Sequence, residues 1–262
     1  PTCTIRAMNP ADPHSTPPAS PTRCAPASTA WPTAAAADAT VAGAAPAAGR
    51  TALVAGASGL VGREILRALL ADKTCAAVHC VGRRPLELKH PKLTSHTVDF
   101  AALPALPRVD DVFIALGTTI KVAGSQAAFR TVDFEAVVAV ASAARISGAT
   151  RLGVVSAMGA SPRSPVFYNR VKGEMEQAVS ALGYTSVVIA RPSMLDGDRE
   201  ALHQAARPAE RLGLAVMGLF RAVTPANLRA ISARDVAVGL VKAVKARPRG
   251  THILLSGELQ AH

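Results

Sequence analysis

Residues 53–70 read LVAGASGLVGREILRALL: an apolar run, three glycines (Gly56, Gly59, Gly62) at three-residue spacing, and a second run with apolar residues at Ile65, Leu66, Leu69 and Leu70. The first run, taken as 51–56, has the length and continuity of a buried strand ending in glycine. The second has the spacing of one helix face. A chain that places its most flexible residues where a strand turns into a helix has two physical reasons to do so. Glycine permits a tight turn without side-chain clash, and it lets a ligand approach the backbone closely.

Working outward, the same strand-then-helix pattern recurs. Residues 76–82 (AAVHCVG), 93–100 (LTSHTVDF), 110–116 (DDVFIAL), 151–156 (RLGVVS), 185–191 (TSVVIAR) and 252–257 (HILLSG) read as further strands. Residues 125–148, 167–182 and 231–246 carry helical periods between them, the last with a serine cap and a basic final turn. Continuously apolar strands alternating with helices predict a parallel sheet covered on both faces. The fold class is therefore α/β, a doubly wound parallel sheet in a three-layer αβα arrangement, forming one domain over 50–262.

In such a sheet a dinucleotide crosses the carboxyl ends of the strands at the first strand-to-helix turn. The segment Gly56-Ala57-Ser58-Gly59-Leu60-Val61-Gly62 stands there, with bare backbone for a pyrophosphate and a Ser58 hydroxyl for a phosphate oxygen. The second strand ends at Arg83-Arg84, about twenty residues on, where a site for the unphosphorylated cofactor presents an acid to the ribose. Two arginines suit a 2′-phosphate instead, so NADP(H) is expected in preference to NAD(H). Asp99 and Phe100 follow the third strand, where the adenine would lie. Leu116, Gly117, Thr118 and Thr119 end the fourth, where Gly117 would let the chain pass the cofactor's central ribose and Thr118 or Thr119 could hydrogen-bond it.

The sequence YNRVK puts Tyr168 and Lys172 four apart on a helix, on one face. With two tyrosines and seven lysines, chance supplies such a pair about 0.05 times. A phenol, with a reference pKa near 10, is a poor proton donor at neutral pH until a neighbouring ammonium stabilises its phenolate. Tyr168 and Lys172 are thus candidate acid–base partners, and Lys172 is also a candidate ribose ligand. Ser156, at the end of the fifth strand, can hydrogen-bond a substrate carbonyl.

Together the glycine loop, Arg83-Arg84, ALGTT (115–119), VVSAMGA (154–160), YNRVKGEMEQAV (168–179) and VVIARPSMLDGDRE (187–200) resemble the atypical short-chain dehydrogenase/reductases. The resemblance is to the group named for the Tat-interactive protein and its bacterial relatives, and it spans residues 50–257. It implies a Rossmann fold, NADP(H), and a Ser/Tyr/Lys set on Ser156, Tyr168 and Lys172. It also implies that Arg191, Pro192 and Ser193 lie over the nicotinamide and substrate. Relatives often carry two serines where this chain has Ser156-Ala157. The group includes members regarded as redox sensors, so two functions follow: a reductase of a small-molecule carbonyl compound, or an NADPH-sensing module that binds a regulatory protein partner. A sugar-nucleotide epimerase using the same three residues is a third, although such enzymes devote more chain to substrate.

Composition sets the outer limits. Residues 1–49 are rich in Ala, Pro, Ser and Thr without sustained period, the composition of a disordered extension, although scarce acids also fit an organelle-targeting peptide. Arg6 and Arg23 balance Asp12 and Asp38 there, so the formal net charge of +11 falls on the remainder. The longest basic run is Arg83-Arg84 and aromatics are 3%, which argues against a nucleic-acid partner. No run of about eighteen apolar residues predicts a transmembrane segment. Four cysteines without a C-x-x-C pair, and histidines without H-x-x-x-H spacing, predict free thiols, no metal site and a cytoplasmic location. The apolar stretch 210–220 (ERLGLAVMGLF) reads as a helix packed on the core, or as the lining of a lipophilic pocket.

Overall fold

The computed structural model describes residues 49–196, 227, 229–246 and 249–260. The N-terminal extension up to residue 48 and the stretch 210–220 lie outside these residues. In chain order the elements are β1 (Arg50–Ala55), α1 (Leu60–Ala71), β2 (Cys75–Gly82), β3 (Leu93–Thr97), β4 (Asp111–Ile114), α2 (Ile120–Ala123) and α3 (Gln126–Arg130). A π-helical turn (Thr131–Glu135) then leads directly into α4 (Ala136–Ile146), followed by β5 (Arg151–Val155), α5 (Phe167–Ser180) and β6 (Ser186–Arg191). Next come β7 (Leu195–Asp196), β8 (Ile231–Ser232), α6 (Ala233–Ala246), β9 (Gly250–Leu255) and α7 (Ser256–Gln260).

Seven strands form one sheet in the order β3-β2-β1-β4-β5-β6-β9, and each neighbouring pair runs parallel. The chain reaches one edge at β3 and returns to β4 on the far side of β1. The order reverses between β1 and β4, and a crevice at their carboxyl ends is the geometric result. The expected doubly wound parallel sheet is what the chain forms.

Alternate residues of each central strand explain the two covering layers. Ala52, Val54, Val78, Cys80 and Val188 face one side and pack with Ile65, Leu66 and Leu69 of α1 and Val236, Leu240 and Val244 of α6. Leu53, Ala55, Val112, Ile114 and Val154 face the other, against Val137, Val140 and Ala144 of α4 and Met175 and Val179 of α5. Burial on both faces is why these strands are continuously apolar. Two boundaries differ from the sequence reading. The expected 231–246 helix begins at Ala233 because Ile231–Ser232 pairs with β7, and Ser232 Oγ caps α6 by accepting from Asp235 N at 3.0 Å. The final strand is displaced to Gly250–Leu255, and Ser256 starts a short helix instead.

At the amino ends of β1, β4 and β5 the buried carboxylate of Asp111 holds two guanidinium groups. Arg50 donates to both its oxygens, at 2.9 and 2.8 Å, and buried Arg151 donates to both from the other side. The pole opposite the crevice is therefore stapled by charge.

On the outer strands, His79 of β2 and His96 of β3 stack with ring nitrogens 3.0 Å apart. Burial pushes the His79 imidazole's pKa down. Burial, and secondarily the charge His79 would carry, push His96 down to about 4. The unfolded chain takes protons near 6.5, so folded protein binds fewer protons than unfolded protein between about 6.5 and 4. Stability is fully present above that window and is lost as pH falls through it. Thermal melts from pH 7 to pH 4 are expected to show a steeper decline in the starting protein than in His96→Gln. Parallel declines would remove the histidine pair from the acid response.

Candidate cofactor and catalytic site

The glycine turn answers the question that its sequence poses. Gly56 has φ +88°, and a Cβ on it would lie 2.6 Å from Ala115 O, so the turn and the neighbouring strand both require glycine. A Cβ on Gly62 would lie 2.0 Å from Gly56 O, which fixes how closely α1 approaches the turn. Gly59 differs: its nearest neighbour would be Gly56 O at 3.3 Å, and its amide donates to that same oxygen at 2.9 Å. Two glycines thus build the turn, while Ser58 is exposed on its outer side. Among the described residues no side chain caps α1 at Gly59, so the first-turn amides of Leu60 and Val61 are left without a capping acceptor although both side chains are buried in the core. That is an anion cradle of the kind a pyrophosphate fits.

The register pairing Ala55 with Val81 carries Arg83 and Arg84 to the flank of this cradle. Both are exposed, and neither guanidinium has a partner among the described residues. Asp99 is exposed but takes Ala101 N at 3.0 Å in its own turn, and Phe100 packs on the core. Leu116 and Gly117 continue β4 into the crevice. Thr119 Oγ1 accepts from Val122 N at 3.2 Å, which makes it the cap of α2.

Beneath this stretch lies a buried ion pair. Asp133, in the π-helical turn, is fully buried, and its Oδ2 accepts from Thr118 N at 2.8 Å. Its Oδ1 stands 2.7 Å from Lys172 Nζ, close enough for an ion pair but without hydrogen-bond alignment. A Cβ on Gly117 would lie 3.4 Å from that Oδ1 and 3.8 Å from that Nζ, in ordinary contact, so the backbone of Gly117 passes directly over the pair. Lys172 is itself 3% exposed.

Tyr168, one helical turn earlier in α5, is half-buried with its ring 5.3 Å from that of Phe129. Ser156, just past β5, is buried; its amide donates to Ala190 O at 2.8 Å, yet its Oγ has no hydrogen-bond partner. The loop after it is pressed on α5, because a Cβ on Gly173 would lie 2.1 Å from Ser161 C. Ser161 N donates to Asn169 O and Met158 N to Pro192 O, both at 3.0 Å. The loop that follows Ser156 is thus fastened to the helix that carries Tyr168 and Lys172.

Two of the expected residues, Arg191 and Ser193, also bond to the fold itself. The Arg191 guanidinium donates to both carboxylate oxygens of buried Glu176 on α5, Nε to Oε1 at 2.9 Å. The Ser193 hydroxyl donates to Arg229 O, and its oxygen accepts from Ser256 Oγ at 2.9 Å. Both fasten the β6 end to the fold. Sequence reasoning missed Asp133, Glu176 and Arg63, whose Nε is buried without a hydrogen-bond partner one turn into α1. For Asp133 a signal existed: buried Phe129 and Val137 stand four residues to either side, so an acid interrupts an apolar helix face.

Residues 56–247, well over half the chain, match the profile of a family described as NAD(P)H-binding. The chain belongs to this NAD(P)H-binding family. Among its curated relatives, Protein fmp52-1, mitochondrial, of Aspergillus terreus is 32% identical over 200 residues, covering 73% of this chain and 84% of the relative. Protein FMP52, mitochondrial, of Meyerozyma guilliermondii is 34% identical over 157 residues, covering 58% and 68%. The expected cytoplasmic location is corrected by these names, since the fungal relatives are mitochondrial proteins. Free cysteines do not distinguish the two compartments.

Solved structures share the fold of this NAD(P)H-binding domain. MoeE5 in complex with UDP-glucose and NAD superposes with TM-score 0.61 at 19% identity, covering 79% of this chain and 75% of that one. The oxidoreductase ylbE from Lactococcus lactis gives 0.56 at 15%, covering 78% and 88%. ADP-L-glycero-D-manno-heptose-6-epimerase of Helicobacter pylori gives 0.57 at 18%, covering 79% and 77%. Among the described residues no helix is long and apolar enough to cross a membrane.

Proposed function

We propose that this NAD(P)H-binding protein is an NADP(H)-dependent reductase of a small carbonyl compound. The observation that carries the reading is the Ser156 hydroxyl, buried without a partner where the chain enters the loop fastened to the helix of Tyr168 and Lys172. A buried hydroxyl left unsatisfied costs about 1–3 kcal/mol, so its retention points to a ligand that completes it.

Fit to the cofactor rests on the cradle: the cleared backbone of Gly56 and Gly62, the uncapped start of α1, and the Arg83-Arg84 flank. When bound, the reduced nicotinamide supplies a hydride to the carbonyl carbon. The chain does the rest. Ser156 Oγ–H donates to the carbonyl oxygen and sets its orientation. The phenol of Tyr168 gives its proton to that oxygen as negative charge develops there. Lys172 stabilises the phenolate left behind and reaches toward the ribose beneath Gly117. The loop from Ala157 to Ser164, clamped on α5, holds these groups in register.

Arg83 and Arg84 support the phosphorylated cofactor. NADPH is expected to bind more tightly than NADH, and replacing both arginines with alanine should narrow the gap by about 1.5–3 kcal/mol for each charge-assisted bond lost. Titration calorimetry with the two cofactors checks this; equal dissociation constants in the starting protein would sink the assignment. The competing regulatory reading, an NADPH sensor that presents a surface to a protein, draws on the single serine of Ser156-Ala157. It predicts cofactor binding without turnover.

A further inference from the structure

Ser156 and Arg191 leave the carboxyl end of the sheet side by side. The register of β5 with β6 ends at Val155 opposite Ala190, and the Ser156 amide donates to Ala190 O at 2.8 Å. Side chains alternate along a strand, and Val154 and Ile189 pack with Met175 and Val179 of α5. Ser156 and Arg191, two residues further on, therefore face α5 as well. On that helix Tyr168, Lys172 and Glu176 follow at four-residue spacing and form one row. Glu176, deepest in the row, takes the Nε–Nη2 edge of Arg191, with Nε 2.9 Å from Oε1. A guanidinium is planar, so a carboxylate on that edge leaves Nη1 on the far side of Cζ, with two N–H groups to give. Nη1 has no partner among the described residues. The Arg191 side chain is 22% exposed and that of Glu176 6%, so the pair is closed on the helix side and open at Nη1, toward the crevice.

We infer that Arg191 Nη1 is a second donor to the substrate, and that the substrate is a hydroxylated carbonyl compound. Its carbonyl oxygen goes to Ser156 and Tyr168, and its hydroxyl oxygen to Arg191. This rests on the reductase reading proposed above. Two features favour the assignment. A guanidinium already clamped along one edge loses little freedom when its other side takes a ligand. Charge then selects the ligand. Glu176 balances Arg191, so an acceptor without charge completes the donor. A carboxylate would instead bring a second acid to one guanidinium and would lose its own hydration. A plain aliphatic ketone would displace water from Nη1 and leave it without an acceptor, which disfavours binding.

Acetoin and butanone differ by one hydroxyl, on the carbon beside the carbonyl. With NADPH, kcat/KM should favour acetoin by about tenfold to hundredfold, the effect of one hydrogen bond from a charged donor. Arg191→Ala alone would strand the buried carboxylate of Glu176, so both partners are best removed together. In the double variant Arg191→Met with Glu176→Leu, the preference for acetoin should fall by about tenfold or more. It should fall likewise in Arg191→Lys, whose ammonium reaches Glu176 but carries no nitrogen on the far side. Comparing ratios cancels any loss common to both compounds. A preference that survives in the double variant, or in Arg191→Lys should the double variant not fold, overturns the inference. So does its absence from the starting protein, which decides the question should neither variant fold. Pyruvate reduced in preference to acetoin, with that preference lost in the same variants, overturns the neutral class.

A binding readout separates failure of this inference from failure of the proposed function. With the protein saturated by NADP+, acetoin should raise the melting temperature more than butanone at equal concentration. The double variant should lose that difference. If neither compound is reduced and acetoin alone stabilises the protein, the reductase reading falls and the hydroxyl-binding role of Arg191 stands. If both are reduced and acetoin gives no added stabilisation, the reductase reading stands and the role of Arg191 is overturned.

Discussion

Tyr168→Phe is expected to lower turnover of a carbonyl substrate by about 10²–10⁴, the usual contribution of a positioned general acid. The substitution deletes one hydroxyl and keeps the ring, which packs at 5.3 Å on the ring of Phe129. Fold and melting temperature should therefore be unchanged. NADPH affinity should also be nearly unchanged, because Lys172 and the glycine cradle are untouched. Steady-state kinetics beside calorimetric cofactor binding separate these effects. A substrate reduced at full rate by the variant would take Tyr168 out of the mechanism. Retained NADPH binding, with no carbonyl compound reduced by either protein, would favour the regulatory reading.

The largest stability effect is expected at the opposite pole. Asp111→Ala leaves Arg50 and buried Arg151 facing each other without the carboxylate that both donate to. Breaking a buried charge pair by removing one partner costs about 3–5 kcal/mol, since the remaining charge stays desolvated and unpaired. Here two guanidinium groups lose their partner at once, at the amino ends of three adjacent strands. Urea unfolding should show a drop of that size with an unchanged slope. NADPH affinity in the residual folded protein should hold, because the cradle lies at the other ends of these strands. A loss below about 1 kcal/mol would mean that water reaches the cluster and takes over the role of Asp111.

The parts of this fold legible in the sequence are those governed by local periodicity and chain geometry. Leu53–Ala55 is apolar at every position because both faces of β1 are covered. Gly56 and Gly62 are glycines because no Cβ fits, so the turn announces itself. Tyr168 and Lys172 share a face by the arithmetic of the helix. What was not legible depends on tertiary partners that no spacing encodes. The resemblance implied that Arg191 and Ser193 lie over the nicotinamide, but their bonds to Glu176, Arg229 and Ser256 had no signal in the sequence. The helix over 125–148 was legible as a helix, but its π-helical turn was not. That turn has no preferred residue pattern, and contacts with Thr118 and Lys172 reward it. Compartment was misread because thiol chemistry reports redox conditions and carries no address.

The π-helical turn holds one residue more than an α-helical turn of the same height. A chain that lost one residue from 131–135 could close that turn to ordinary α-helix and keep the helices on either side in register. Phe129 and Arg130 would still face the Tyr168 ring and Glu174. What would be lost is the widened turn that sets Asp133 against Thr118 N and Lys172 Nζ. A single lost codon here would therefore be silent in the fold and felt only in the crevice, where one buried acid is all that the extra residue supplies.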